Sequence, residues 1–227
     1  MQRSLVGSEM CIRDRPSGVT LPRHGPEKKF LMPFQLSLSS TKKVIFLLAL
    51  WPIFSIGYLT YQEKLGANPI EFIERHFGKW TLIFICLTLA MTPLRKLTKN
   101  GHWTLYRRML GLFTFFYSTL HLLCYIGLDY YFAWDDIKND ILKHRYVLVG
   151  FLAWLLLVPL AITSTNRMII RLKTTWKKLH RLVYLIAILG LLHFFWLVKK
   201  DMTQPILYSV VIISLLLFRL NLHRFKK

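Results

Sequence analysis

Three histidines lie in apolar sequence: His121 in YSTLHLLCY, and His180 and His193 in WKKLHRLVYLIAILGLLHFFWLVKK, residues 176–200. An ionisable side chain in a membrane helix is costly and marks a functional site by default. His180 and His193 stand 13 residues apart. On one helix that is roughly 20 Å, a large part of a hydrocarbon core about 30 Å thick. It is also about 3.6 turns, which places both imidazoles within roughly 60° of one face. One histidine near each end of a single helix, fenced by lysines, reads as a path across a bilayer.

His121 and His193 each fall a few residues short of the same end of their segments. Two neutral imidazoles at one depth on two helices can ligate a planar metal cofactor from both faces. In a bilayer that chemistry suits haem, whose macrocycle fills an apolar slot while iron takes both nitrogens. Phe194, Phe195, Trp196, Tyr117 and Tyr125 are the expected aromatic walls. The competing reading is that each histidine hydrogen-bonds to a neighbouring helix. Two at matched depth, with a third on the same helix, favour ligation.

His180 differs, because it sits beside Lys177, Lys178 and Arg181. A second haem there needs a histidine 13 or 14 residues before His121, where the chain has Arg107 and Arg108. Two guanidiniums suit a phosphate. His180, Arg107 and Arg108 together therefore fit a phosphorylated flavin, with His180 kept as a further metal-ligand candidate. Equally, the arginines are positive-inside anchors. His76, His102 and His144 in connections, His223 in the tail and His24 near the start read as solvated.

The elements that must position these residues are six apolar segments: 44–61, 80–94, 109–128, 146–163, 179–198 and 205–222. The fold class expected is all-α, an integral membrane bundle of six transmembrane helices. The 227 residues are 54% hydrophobic with a mean hydropathy of +0.38, and six such segments leave too little polar surface for a soluble domain. The net charge of +20 lies in short clusters between the segments, as topology signals do, which argues against a nucleic-acid partner. Five Lys or Arg in each of 95–108 and 164–178 make those loops cytoplasmic, with both termini on the same side. Cys11, Cys86 and Cys124 show no metal-ligand spacing. Acids fall outside the apolar segments, which weighs against a small proton-coupled transporter.

Residues 1–40 read as a disordered leader and 41–227 as the membrane domain. Within the leader, LVGSEMCIRDR at 5–15 resembles one reading frame of a transposase-type sequencing adapter. Residues 1–15 are therefore expected to be foreign, with Met32 as a start.

LGANP (65–69), TPL (92–94), RRMLGL (107–112), TLH (119–121), TSTN (163–166), LHRLVYLIAIL (179–189) and HFFW (193–196) carry a resemblance. Over about residues 42–215 the chain resembles the MsrQ family, haem-binding membrane subunits of bacterial protein-methionine-sulfoxide reductase systems. That family lies within the ferric-reductase-like transmembrane superfamily. The resemblance implies a b-type haem, a bound FMN, and His121, His180 and His193 as the family's histidines. It implies electron delivery to a periplasmic molybdopterin-containing methionine sulfoxide reductase, from the bacterial inner membrane. Larger superfamily members carry two histidines on the third helix, and this chain departs from them at Arg107 and Arg108. No flavin or nicotinamide domain is visible, so quinol or a separate cytosolic flavin reductase is the expected donor. The alternative activity is a haem-containing ferric or quinone reductase with its own terminal substrate.

Overall fold

The computed structural model describes residues 38–199 and 201–224. These form α1 (Leu38–Tyr61), α2 (Pro69–Leu97), α3 (Trp103–Cys124), α4 (Trp134–Lys143), α5 (Arg145–Ile162), α6 (Asn166–Leu179), α7 (Leu182–Leu197) and α8 (Thr203–Arg224). A π-helical turn, Tyr125–Asp129, prolongs α3. The described residues contain no strand. Residues 38–40 are already helical, and the rest of the expected leader, with its adapter-like string and Met32, lies outside the described residues.

By length and composition, α1, α2, α3 with its π turn, and α5 can each cross a membrane. The pair α6 and α7, bent by 49° at the break between them, makes a fifth crossing if the two helices are taken as one broken span. In α8 the apolar stretch is shorter, Thr203–Arg219. Six long spans are therefore not reached among the described residues.

The bend corrects the expectation of one continuous helix over 176–200. His180 and Arg181 form the turn between α6 and α7. The backbone N–H of His180 bonds to Trp176 O at 3.0 Å. Its side-chain Nδ1 reaches the same carbonyl at 3.1 Å, and its ring stacks on Trp176 at 3.9 Å. Both bonds go to one carbonyl of the last turn of α6, and this local cap lets the chain turn there without glycine or proline.

A second correction concerns α2, which starts at Pro69 instead of residue 80. Asn68 caps it by accepting from the Glu71 N–H at 3.3 Å, Pro69 occupies the first helical position, and Glu71 pairs with Arg75. The charges in this extra length hid the helix from an apolar-run reading, but they also bring Glu74, His76 and Gly78 onto it.

α2 is the shared wall of two cores. On one side it packs with α1 and α3, where Tyr117 is fully buried, stacks on Phe84 at 5.2 Å and donates to Ala49 O at 2.6 Å. On the other side Leu89, Ile186, Ala187 and Ile212 join α2, α7 and α8, with Leu157 of α5. Trp154 Nε1 on α5 donates to Thr119 Oγ1 on α3 at 3.1 Å, which closes the bundle. Leu47, Leu48, Trp51 and Phe54 of α1 stay exposed, as suits a surface solvated by lipid.

Candidate functional site

Helix α2 lies along α3, and α5 lies along α7; α3 also touches α5. This arrangement brings His121 of α3 and His193 of α7 side by side. Their ring centres are 6.1 Å apart and their planes meet at 77°. Each ring is held by the helix beside its own. His121 Nδ1 reaches Glu74 O on α2 at 2.9 Å, and His193 Nδ1 reaches Tyr146 O on α5 at 2.7 Å. A carbonyl only accepts, so both Nδ1 atoms carry the proton. The lone pairs are then on the Nε2 atoms, the tautomer a metal-binding imidazole needs.

Two imidazoles bonded to one metal from opposite sides, each at about 2 Å, place their ring centres about 6 Å apart. The observed pair has that spacing. Among the described residues, no group of three or more His, Cys, Asp or Glu side chains gathers as a metal site. Two imidazoles are a poor cage for a bare ion, whereas a haem brings four in-plane nitrogens of its own. The residues present fit that group.

Four of the five expected aromatic walls find partners or exposure elsewhere. Tyr117 packs into the α1–α2–α3 core, Phe194 meets Tyr208 edge-on at 6.2 Å, and Tyr125 donates to Asp140 Oδ2 at 2.6 Å. Trp196 is substantially exposed. The aromatic ring that does flank the pair is Tyr146, 6.4 Å from His193.

The His180 end is separated from His193 by about eleven residues of α7, roughly 17 Å. His180 Nε2 is buried without a hydrogen-bond partner. Arg107 is half-buried and within electrostatic reach of Arg219 and Tyr184, and His180 is within reach of Arg107. Arg108 does not join them: it is exposed and bonds to Asn166 at the start of α6. Adjacent residues point about 100° apart on a helix, so one arginine turns inward and the other outward. The second inward guanidinium is Arg219 on α8. It donates to Tyr184 Oη at 2.7 Å, Leu89 O at 2.9 Å and Thr92 Oγ1 at 2.7 Å, while its Nε is buried and unpartnered.

The sequence reading missed Arg219, although an arginine inside the apolar run 205–222 is itself a signal of a polar partner. It also missed Gly78 and Gly150, over which the two histidine rings lie. His76, expected in a connection, is half-buried on α2 with Nε2 3.1 Å from Pro52 O of α1, so it ties two helices. His102 is exposed before α3, and His144 pairs with Asp140 at 2.6 Å. His24 and the side chain of His223 lie outside the described residues.

Residues 77–191 match the family described as ferric reductase like transmembrane component. The chain is similar to a Herminiimonas arsenicoxydans protein named protein-methionine-sulfoxide reductase heme-binding subunit MsrQ. The two are 47% identical over 190 residues, 82% of this chain and 86% of the relative. A Xanthomonas euvesicatoria pv. vesicatoria protein of the same name is 46% identical over 189 residues, 81% of this chain and 87% of the relative. One from Xanthomonas campestris pv. campestris is 44% identical over 190 residues, with 81% and 87% covered.

Proposed function

The chain belongs to the MsrQ family, within the ferric reductase like transmembrane proteins, and from that premise we propose that it holds one b-type haem between His121 and His193 and relays electrons across a membrane. One observation carries the ligand assignment. The two rings stand 6.1 Å apart with both Nδ1 atoms committed to carbonyls, leaving two Nε2 lone pairs for one metal. A bound haem supplies a one-electron carrier at this end of the bundle. The helices around it exclude water, and the carbonyls of Glu74 and Tyr146 fix the ligand tautomers.

At the other end, the reading is an FMN phosphate held by Arg107, Arg219 and His180. The buried, unpartnered Arg219 Nε supports it, since that atom lacks a partner that a ligand would provide. Arg219 replaces Arg108 in the expected set. The basic connections support a reading with this end in the cytoplasm and the histidine pair toward the periplasm, in a bacterial inner membrane. Quinol or a cytosolic flavin reductase is the donor. The acceptor is a periplasmic molybdopterin-containing methionine sulfoxide reductase, which repairs oxidised proteins.

Oxidised and reduced absorption spectra of the purified protein, with extracted haem and flavin quantified, test this reading. One haem per chain with low-spin bands, reduced by quinol and reoxidised by the periplasmic partner, is expected. A protein without haem overturns it, and two haems with no flavin overturn the assignment at the arginine end.

A further inference from the structure

Each of the two histidines donates to a carbonyl that already accepts a hydrogen bond within its own helix. In an α-helix carbonyl i faces the N–H of residue i+4, which is Gly78 for Glu74 O on α2 and Gly150 for Tyr146 O on α5. The residue four positions after such a carbonyl is thus a glycine at both anchoring points.

Elsewhere in the bundle that position is used differently. Thr81 donates its hydroxyl to Phe77 O at 3.0 Å, Thr114 to Leu110 O at 3.1 Å, Thr119 to Phe115 O at 2.8 Å and Ser209 to Pro205 O at 2.8 Å. A side chain at i+4 therefore stands against the exposed lone pair of carbonyl i. One turn beyond Glu74 on the same α2, Thr81 fills that place. At Gly78 and Gly150 no side chain exists, and an imidazole N–H from another helix occupies it.

The fit is close. A Cβ at Gly150 would lie 2.6 Å from His193 Nδ1 and 2.9 Å from its Cε1, where no real Cβ sits. A Cβ at Gly78 would lie 3.3 Å from His121 Cε1 and 3.4 Å from its Nδ1, which demands a small shift. Gly190 and Gly111 have only ordinary neighbours, Leu82 at 3.6 Å and Thr88 at 3.9 Å. A helix interior disfavours glycine, so two glycines at the two anchoring carbonyls need a reason beyond the helix itself.

We infer that Gly78 and Gly150 are positioning residues for the histidine pair: each leaves the carbonyl four residues earlier open, so that an imidazole from the facing helix can bond to it and turn its Nε2 into the gap. The inference rests on the haem reading above. In chemical terms, the two glycines set the tautomer and the ring plane of the ligands without touching the metal.

The experiment compares Gly150→Ala, Gly78→Ala, Gly190→Ala and Gly111→Ala in the full-length purified protein. The measurements are haem per chain and the ferric electron paramagnetic resonance spectrum, whose g values report the mutual angle of two imidazole planes. Gly150→Ala should lose haem severalfold and shift the g values of what remains. Gly78→Ala should shift them with a smaller loss, and the two controls should match the wild type. Gly78→Ser should exceed Gly78→Ala, because its hydroxyl competes for Glu74 O as Thr81 does for Phe77 O. If Gly150→Ala fails to accumulate, the two Gly78 variants decide. Wild-type haem content and g values in folded Gly78→Ala and Gly78→Ser would overturn the inference, as would equal effects at Gly190. Failure of the haem reading looks different: His121→Ala and His193→Ala would then keep full haem.

Discussion

The two ends of the bundle hold their histidines in opposite ways. His121 and His193 are anchored across helix boundaries, to carbonyls on α2 and α5 that lie 47 residues away in sequence. His180 is anchored to its own helix, to the carbonyl four residues earlier, and stacks on the tryptophan that owns it. A bond across a boundary fixes a ring relative to two helices at once, so its free nitrogen is presented to the space between them. A bond within a helix end serves first as a cap. Depth in an apolar segment therefore says where a histidine is, and the partner of its Nδ1 says what it is arranged to do.

The largest expected effect breaks the His121–His193 arrangement. His193→Ala or His121→Ala should lower haem retention by on the order of 100-fold, since even outer-shell partners of a metal ligand are worth about 10–100-fold. Haem per chain after size-exclusion chromatography in detergent checks this. Next comes the arginine end. Arg107→Ala combined with Arg219→Lys keeps one charge but removes the planar fork, so extracted flavin should fall severalfold while the haem spectrum is unchanged. Loss of both cofactors together would show that the ends are not independent.

How much of this was legible in the sequence follows from the range of each interaction. His121 and His193 could be paired because helical rise converts residue counts into depth. The break at His180 could not be read, because no glycine or proline marks it; a histidine side chain and a tryptophan ring make the turn. The first eleven residues of α2 were hidden because their charges interrupt the apolar pattern, although Asn68–Pro69 announces the cap. Arg108 lies apart from His180 because neighbours in sequence diverge on a helix, and Arg219 was missed because its partners, Leu89 and Thr92, lie 130 and 127 residues away. Gly78 and Gly150 carried no sequence signal beyond being glycines in helices.

A smaller effect sharpens the contrast between the ends. His180→Ala removes one bond to Trp176 O and one ring stack, a cost of about 1 kcal/mol. Haem content should stay at the wild-type level, with a slight fall in melting temperature. A loss of haem comparable to that of His193→Ala would make His180 a ligand as well and erase the distinction.

The smallest effect concerns the support of the His193 anchor. Tyr146 is the second residue of α5, and His144 just before it bonds Asp140 Oδ1 at 2.6 Å from α4. Tyr125, at the end of α3, donates to the other oxygen of the same carboxylate at 2.6 Å. This carboxylate thus fastens α4 between α3 and the start of α5. Burial works against its charge, yet hydrogen bonds from Tyr125, His144 and Tyr130 outweigh it and hold Asp140 below the usual carboxylate range. A group with a depressed folded pKa binds fewer protons when folded, so its stabilisation is fully present above the unfolded value, about 4, and is lost as pH falls through the folded value. Hydrogen exchange in α4 and the first turn of α5 should therefore be flat from pH 7 to pH 5 in opening free energy and weaken below about pH 4. Asp140→Asn should remove that acid limb and cost about 1–2 kcal/mol locally at neutral pH. Because Tyr146 O sits in the loosened turn, its bond to His193 should weaken with it, seen as a small shift in the g values of the haem at low pH. The carbonyl of Glu74, in the second turn of α2, takes no bond from the Asp140 cluster, so the His121 side should respond less than the His193 side. An equal response from both ligands would mean that the acid effect enters elsewhere.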